Sequence, residues 1–98
     1  MEIQKYEDNE RLSLTLTGRM DTNTASQLEA VLKQSVDGVR ELEFDFSGLD
    51  YISSAGLRVL LTAQKVMNRQ GTMVLRNVKP QIMDVFEMTG FDHILTVE

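Results

Sequence analysis

The sequence predicts a single α/β domain with a mixed sheet of four to five strands and about three to four helices, mainly on one face. Several short segments alternate apolar and polar residues, which is the period of half-buried strands. Other segments carry apolar residues at spacings of three and four, which is typical of amphipathic helices. The two kinds of segment follow one another in the order β-β-α-β-α-β-α-β. Strand–helix–strand units give parallel pairs through right-handed crossovers, and the opening two strands add an antiparallel pair.

Length and composition exclude several classes of protein. The 98 residues have room for one domain, residues 1–98, and the formal net charge is −5. Lysines and arginines are scattered, so binding to nucleic acid or direct contact with an anionic membrane is disfavoured. The chain has no cysteine, which excludes thiol catalysis and disulfides. The first ten residues lack the apolar core of a signal peptide, so we expect a cytoplasmic protein.

The first third of the chain predicts a hairpin followed by a helix. Residues 2–7 are a weak strand candidate, residues 8–10 are the turn, and a clear strand with alternating leucines follows until Gly18 interrupts it. The helix start has three candidate caps, Asp21, Thr22 and Thr24, of which Thr24 fits a capping box with Gln27. Apolar residues then recur at helical spacing up to about Gly38.

The stretch from Phe44 to Leu61 organises the remainder of the domain. A strand of alternating apolar and acidic residues covers residues 40–46 and leads into a predicted turn at Ser47–Asp50. A helix then runs from Ser54 to about Asn68, with either Ser53 or Ser54 as its N-cap. The helix is apolar over much of its circumference, which indicates a position in the centre of the domain.

The last third of the chain predicts a strand, a helix and a short final strand. Gly71 ends the central helix, and residues 72–76 form a strand. Pro80 sits in the first turn of the next helix, where its missing N–H is not needed, and Gly90 is the expected C-cap. Residues 94–97 add a last strand or an edge segment.

Two blocks of sequence resemble the signature of STAS domains, the anti-sigma factor antagonist family. The first block is Asp45-Phe46-Ser47-Gly48-Leu49 followed by Tyr51-Ile52-Ser53-Ser54-Ala55-Gly56-Leu57. The second block is Gly18-Arg19-Met20-Asp21 with Thr24-Ala25, at the preceding strand-to-helix turn. The resemblance extends over nearly the whole chain and implies a STAS-like fold.

The resemblance also implies a function as a regulatory switch. In the family, the unmodified protein binds an anti-sigma factor that is also a serine kinase, and this binding releases a sigma factor. Phosphorylation of one serine dissolves the complex, and a metal-dependent PP2C-type serine phosphatase resets it. We therefore expect a non-enzymatic, monomeric phosphoprotein that needs no cofactor or metal.

By position, the family's phosphorylated serine falls on Ser54, with Ser53 as the second choice. The resemblance implies that the partner contacts a rim of eight residues: Asp21, Thr22, Asn23, Ser53, Ser54, Ala55, Gly56 and Arg58. Sigma-regulating members usually have aspartate before the phosphorylated serine, whereas this chain has Ser53. The alternative function is therefore a constitutive STAS scaffold or a transporter-associated subunit that is not regulated by phosphorylation.

A hydrolase is the third class of function to be weighed. His93 is the only histidine, and it would have to cross the molecule to reach Ser54. Neither serine lies in the Gly-x-Ser-x-Gly turn of serine hydrolases. The sequence therefore favours an interaction protein over an enzyme.

Overall fold

A computed structural model describes residues 1–98 and contains four strands, three α-helices and one 3₁₀ turn. The strands are β1 (Glu2–Asp8), β2 (Arg11–Met20), β3 (Glu41–Ile52) and β4 (Thr72–Arg76). The helices are α1 (Thr22–Ser35), α2 (Ser54–Gln70) and α3 (Pro80–Thr89), and the 3₁₀ turn is Phe91–His93. None of the helices combines the length and apolarity that crossing a bilayer requires.

The four strands form one mixed sheet in the order β1-β2-β3-β4. The first pair is antiparallel and is joined by a two-residue turn in which Asn9 has a left-handed φ of 56°. The pairs β2–β3 and β3–β4 are parallel, with α1 and α2 as their crossovers. The predicted α/β class and mixed sheet are confirmed. The predicted strand at residues 94–97 is reduced to a single parallel bridge between Val97 and Leu75.

The predicted turn at residues 47–50 is wrong, because β3 continues through it to Ile52. The parallel partner β2 also continues past Gly18, and the two strands stay paired through two register shifts. Thr17 pairs with Gly48, and Arg19 pairs with Tyr51. Bulges of this kind keep a strand going while they re-aim the side chains beyond them. Turn-forming residues therefore produced an irregular strand here, because a neighbouring strand supplied the backbone hydrogen bonds.

The hydrophobic core lies on one face of the sheet, under all three helices. One continuous cluster contains 23 buried apolar residues from strands and helices alike, so the helices share a single face. Phe46 links the sheet to the helix layer. The centre of its ring lies 6.1 Å from the ring centre of Phe44 on the same strand and 6.5 Å from that of Phe86 on α3. The opposite face is polar, and Glu43 forms ion pairs there with Arg11 and Arg76.

The ends of the three helices lie close to the predicted positions. The first ends at Ser35, three residues before the predicted Gly38. Gly71 follows α2 with an extended φ of 175°, and a Cβ there would lie 1.9 Å from the carbonyl oxygen of Arg40. Gly90 adopts the left-handed conformation, φ 80°, at the end of α3. Both glycines were predicted to end their helices. The structure shows that Gly71 allows a close approach of the backbone and that Gly90 supplies a left-handed φ.

Candidate functional site

The candidate site lies where β2 and β3 end side by side at one edge of the sheet. Met20 and Ile52 are neighbours in the parallel register. The N–H of Ser53 donates a hydrogen bond of 2.8 Å to the carbonyl oxygen of Met20, beyond the end of the strand. Asp21 and Ser53 are the next residues, and each is the N-cap of a helix. The sheet therefore places two helix N-termini next to each other.

The N-terminus of α1 is closed by a reciprocal capping box between Asp21 and Thr24. The N–H of Thr24 donates to Asp21 Oδ1 at 2.9 Å, and the N–H of Asp21 donates to Thr24 Oγ1 at 2.8 Å. The Thr24 hydroxyl in turn donates to the carbonyl oxygen of Arg19 at 2.7 Å. Asp21 is thus the cap among the three candidates, and the predicted box with Gln27 is wrong.

The carboxylate of Asp21 is kept ionised by these same contacts. The N–H of Thr24, followed by its hydroxyl, holds the pKa of Asp21 below its usual range. Hydrogen bonds to the charged form favour that form, and the positive end of the helix dipole acts in the same direction. The rim of the site therefore carries a fixed negative charge at neutral pH.

The N-terminus of α2 is capped by Ser53 alone. Its Oγ accepts a hydrogen bond of 3.2 Å from the N–H of Gly56, and its carbonyl oxygen accepts the first helical bond from Leu57 at 3.0 Å. Ser54 is the first residue of the helix and is exposed, and its hydroxyl forms no hydrogen bond within the protein. Of the two serines between which the sequence left the cap open, Ser53 is the cap.

Gly56 is buried, unlike the other residues of the predicted contact rim. A Cβ at this position would lie 2.7 Å from Met20 Sδ and 2.8 Å from Ile52 Cγ1, closer than carbon atoms tolerate. The absence of a side chain allows α2 to approach the ends of both strands. Gly56 therefore has a packing role, and its predicted contact with a partner stays a prediction.

The exposed rim of the site is formed by the first turns of α1 and α2. Thr22 and Asn23 are exposed on α1, and Ala55 and Arg58 lie on α2 around Ser54. A groove of about 260 Å³ separates the two helices here, lined in part by Thr22, Ala55 and Arg58. Arg58 is exposed and forms no ion pair, one helical turn after Ser54.

Polar contacts beneath the rim join residues of the first signature block and Asp50 to two partners, Asn77 and Lys79, that the sequence did not single out. Asp45 Oδ1 accepts from the N–H of Ser47 at 2.9 Å and from Asn77 Nδ2 at 3.1 Å, and these two donors lower the pKa of Asp45. Lys79 forms an ion pair with Asp50, which compensates the charge of that aspartate. Asn77 has a left-handed φ of 59°, a conformation in which asparagine is enriched, and this is a signal that sequence reading could have used.

A second missed contact lies on the open face of the sheet near the same edge. The guanidinium carbon of Arg19 lies 4.2 Å from the centre of the Tyr51 ring, a cation–π geometry. The two residues are register partners on β2 and β3 only because of the bulges that precede them. No sequence pattern pointed to this pair.

The fold and site define a STAS domain. The family model described as "Mlab, STAS domain" matches residues 3–96. The chain therefore belongs to the STAS domain family, as the two sequence blocks predicted.

The relatives of this chain include anti-sigma factor antagonists. BtrV of Bordetella bronchiseptica, which is provisionally assigned as an anti-sigma factor antagonist, is 48% identical over 84 residues, which span 84% of this chain and 72% of BtrV. The anti-sigma factor antagonist SpoIIAA has a similar fold in its unphosphorylated form, with a TM-score of 0.79, 19% identity and coverage of 99% of this chain and 87% of SpoIIAA. The phosphorylated form of SpoIIAA has a TM-score of 0.78 and 20% identity, and the match covers 99% of this chain and 91% of SpoIIAA.

Proposed function

We propose that this protein is an anti-sigma factor antagonist that docks a serine-kinase anti-sigma factor through the rim around Ser54, and so releases a sigma factor. Phosphorylation of Ser54 dissolves the complex, and a PP2C-type serine phosphatase restores it. The observation that carries this proposal is that the two adjacent serines have different roles. Ser53 holds the helix cap, whereas the exposed hydroxyl of Ser54 is free of hydrogen bonds within the protein.

The same difference favours Ser54 over Ser53 as the phosphate acceptor. A phosphate on Ser53 would turn the Oγ that accepts the N–H of Gly56 into a bridging ester oxygen, a poorer acceptor, so modification there would perturb the cap. A phosphate on Ser54 leaves the cap intact and stands at the positive end of the α2 dipole, where a negative charge is tolerated or favourable by roughly 0.3–1 kcal/mol. The fold is expected to survive phosphorylation, as it does in SpoIIAA, whose two forms are equally similar to this chain.

A phosphate at Ser54 is sufficient to break a complex without a change of conformation. It adds roughly −1.5 to −2 charges and three strong acceptors. Under a bound partner this group must be desolvated, and an unpaired charge buried at an interface costs several kcal/mol. A hundredfold loss of affinity needs only about 2.8 kcal/mol. The ionised carboxylate of Asp21 on the same rim adds to the repulsion of an acidic partner group.

A second candidate function follows from Ser53, which stands where sigma-regulating relatives usually have aspartate. In this alternative the chain is a constitutive scaffold or a transporter-associated STAS subunit. The Ser53 hydroxyl caps α2 as a carboxylate would, so the helix is intact, but it brings no negative charge next to Ser54. A kinase that reads that charge would not recognise this site.

The test is an affinity capture from a lysate of the source organism with ADP added, followed by mass spectrometry of the retained proteins. The baits are the wild type, Ser54→Asp and the matched neutral control Ser54→Ala. We expect the wild-type and Ser54→Ala baits to retain a serine kinase with a histidine-kinase-type ATP fold. This kinase should bind the Ser54→Asp bait at least a hundredfold more weakly.

Incubation of the captured kinase with ATP then identifies the acceptor. Phosphate on Ser54 of the wild type and none on the Ser54→Ala variant is the expected result. Equal retention of the same proteins by all three baits contradicts the switch. A transporter subunit among those common proteins identifies the second candidate as the function.

A further inference from the structure

The outer side of α2 carries a stripe of positive charge, of which the rim around Ser54 includes only Arg58. Arg58, Lys65 and Arg69 are all exposed, and the helix contains no aspartate or glutamate. None of the three cations has a carboxylate within 4.0 Å. The other lysines and arginines form ion pairs or, in the case of Arg19, lie over Tyr51. In a chain of net charge −5, this stripe is unusual.

An apolar groove lies beside the stripe, between α1 and α2. Its α2 wall is the row Val59, Ala63 and Val66, and its α1 wall includes Leu32 and Val36. The apolar depression at its centre has a volume of about 90 Å³ and is large enough for one apolar side chain, whereas the adjoining depressions of about 260 and 320 Å³ are lined mostly by polar residues. A long groove with one apolar depression favours a macromolecular occupant.

The groove continues along most of α2. Val59 and Thr62 also line the groove at the Ser54 end, whereas Thr62 and Val66 also line a surface depression that ends at Gln70. The segment from Ala55 to Gln70 is about 22 Å long at 1.5 Å per residue. A helix of about 15 residues has the same length.

Two rows run side by side along α2. Apolar residues at positions 59, 63 and 66 form a seam in which Val59 and Ala63 are buried and Val66 is half-buried, and the basic residues at 58, 65 and 69 flank it about 100° further around the helix. The unpaired cations beside this seam select a partner of opposite sign. The α1 side of the groove is neutral, because Glu29 and Lys33 form an ion pair there at 3.8 Å.

We infer that this groove, here called the α1–α2 groove, docks an acidic amphipathic helix of a partner protein. One apolar side chain of that helix enters the depression beside Val59, Ala63 and Val66, and its carboxylates face Arg58, Lys65 and Arg69. The one-sided charge fixes the orientation of the docked helix. This docking shares Arg58 with the rim around Ser54, and it extends the contact surface beyond the rim.

The probe for the test is a 16-residue peptide with leucine at the seam positions and glutamate at the flanking positions, held helical by a hydrocarbon staple on its outer face. A control peptide replaces every glutamate with lysine. Fluorescence anisotropy measures affinity, and chemical shifts of ¹⁵N-labelled protein map the binding surface. We expect the acidic peptide to bind with a Kd of about 100 μM or tighter, and to shift the amides of α1 and α2 along the groove.

The matched variants are the double charge reversal Lys65→Glu with Arg69→Glu, and the control Arg40→Glu, which reverses an exposed charge outside the groove. The double variant should bind the acidic peptide at least tenfold more weakly and should gain binding to the lysine peptide. The Arg40→Glu control should bind the acidic peptide as the wild type does. All these positions are exposed, so loss of binding does not report unfolding, and a circular dichroism melt verifies this.

Three results overturn the inference. The first is no binding of the acidic peptide at about 1 mM, or shifts confined to the open face of the sheet. The second is equal weakening by Arg40→Glu, which would mean that only the overall charge matters. The third is tighter binding of a thymidine 12-mer than of the peptide, with loss in the double variant, which would assign the stripe to nucleic acid. The experiment needs neither kinase nor phosphate, so its failure is distinguishable from failure of the proposed switch.

Discussion

The N-termini of α1 and α2 stand side by side at the same edge of the sheet, yet their caps differ. At α1, Asp21 and Thr24 satisfy each other, and both side chains form hydrogen bonds within the protein. At α2, Ser53 alone supplies the cap, and the next hydroxyl, Ser54, is left free. At α2, therefore, one serine stabilises the helix and the next is available for modification. At α1, both polar side chains stabilise the helix.

The largest expected loss of stability comes from a side chain that prevents α2 from packing closely against the ends of β2 and β3. A Gly56→Val substitution places a branched side chain where a Cβ alone would lie 2.7 Å from Met20 Sδ. Overpacking in a closed core costs about 1–3 kcal/mol, and we expect the upper end of this range in the free energy of unfolding. Urea denaturation followed by circular dichroism measures it.

Ala55→Val is the control for Gly56→Val, because it adds a branched side chain at a neighbouring, half-buried position of the same helix turn. A loss of stability that is equal in the two variants would mean that a branched side chain anywhere in this helix turn is destabilising, and that the contact with Met20 does not determine the effect.

The two serines should separate in a stability measurement. Ser53→Ala removes the oxygen that accepts the N–H of Gly56, and loss of an N-cap costs about 1 kcal/mol. Ser54→Ala removes a hydroxyl with no partner in the protein, and surface substitutions of this kind stay within about 0.5 kcal/mol. Denaturant midpoints of the two variants and the wild type are the measurement. Equal losses in both variants would show that the cap is shared between the serines.

The smallest expected effect is a pH dependence of the stability that the Asp21 cap gives to α1, which the uncharged Ser53 cap of α2 does not have. The pKa of Asp21 is lowered in the folded state by Thr24, so its ionised form stabilises the fold above the unfolded pKa of about 3.9. This stabilisation is lost as pH falls through the lowered folded pKa. Asp21→Asn keeps a capping oxygen but cannot titrate, so the wild type should be the more stable at pH 7, and the difference should shrink toward pH 2.

The measurement for Asp21→Asn is the free energy of unfolding at a series of pH values. Asp45→Asn is a matched comparison, since the pKa of Asp45 is lowered by Ser47 and Asn77 and its advantage should fade in the same direction. A difference between wild type and Asp21→Asn that stays constant with pH would contradict a role for the charge.

Much of the fold could be predicted from local pattern alone. The alternating leucines of β2, the apolar spacing of α2, and the Pro80 and Gly90 boundaries of α3 were read directly from the sequence. These signals are local because side-chain periodicity and caps depend on residues within one or two turns. The same signals placed Asp21, Ser53 and Ser54 at strand-to-helix junctions, whereas the expected roles of the site residues came from the resemblance to STAS domains.

Other features depended on residues far apart in sequence. The bulged pairing of Thr17 with Gly48 turned a predicted turn into strand, and a single bridge at Val97 replaced a predicted strand. The burial of Gly56 against Met20, and the contacts of Asp45 with Asn77 and of Asp50 with Lys79, likewise join separate elements.

The sequence by itself determined the α/β class, the order of the elements and the presence of two serines at the start of α2. Only the tertiary structure decided which serine caps the helix, which residues the rim exposes, and that an apolar groove runs beside the basic stripe of α2. The physical reason is that propensity and periodicity act within a segment. Hydrogen-bond partners, burial and grooves arise only when strands pair and helices pack.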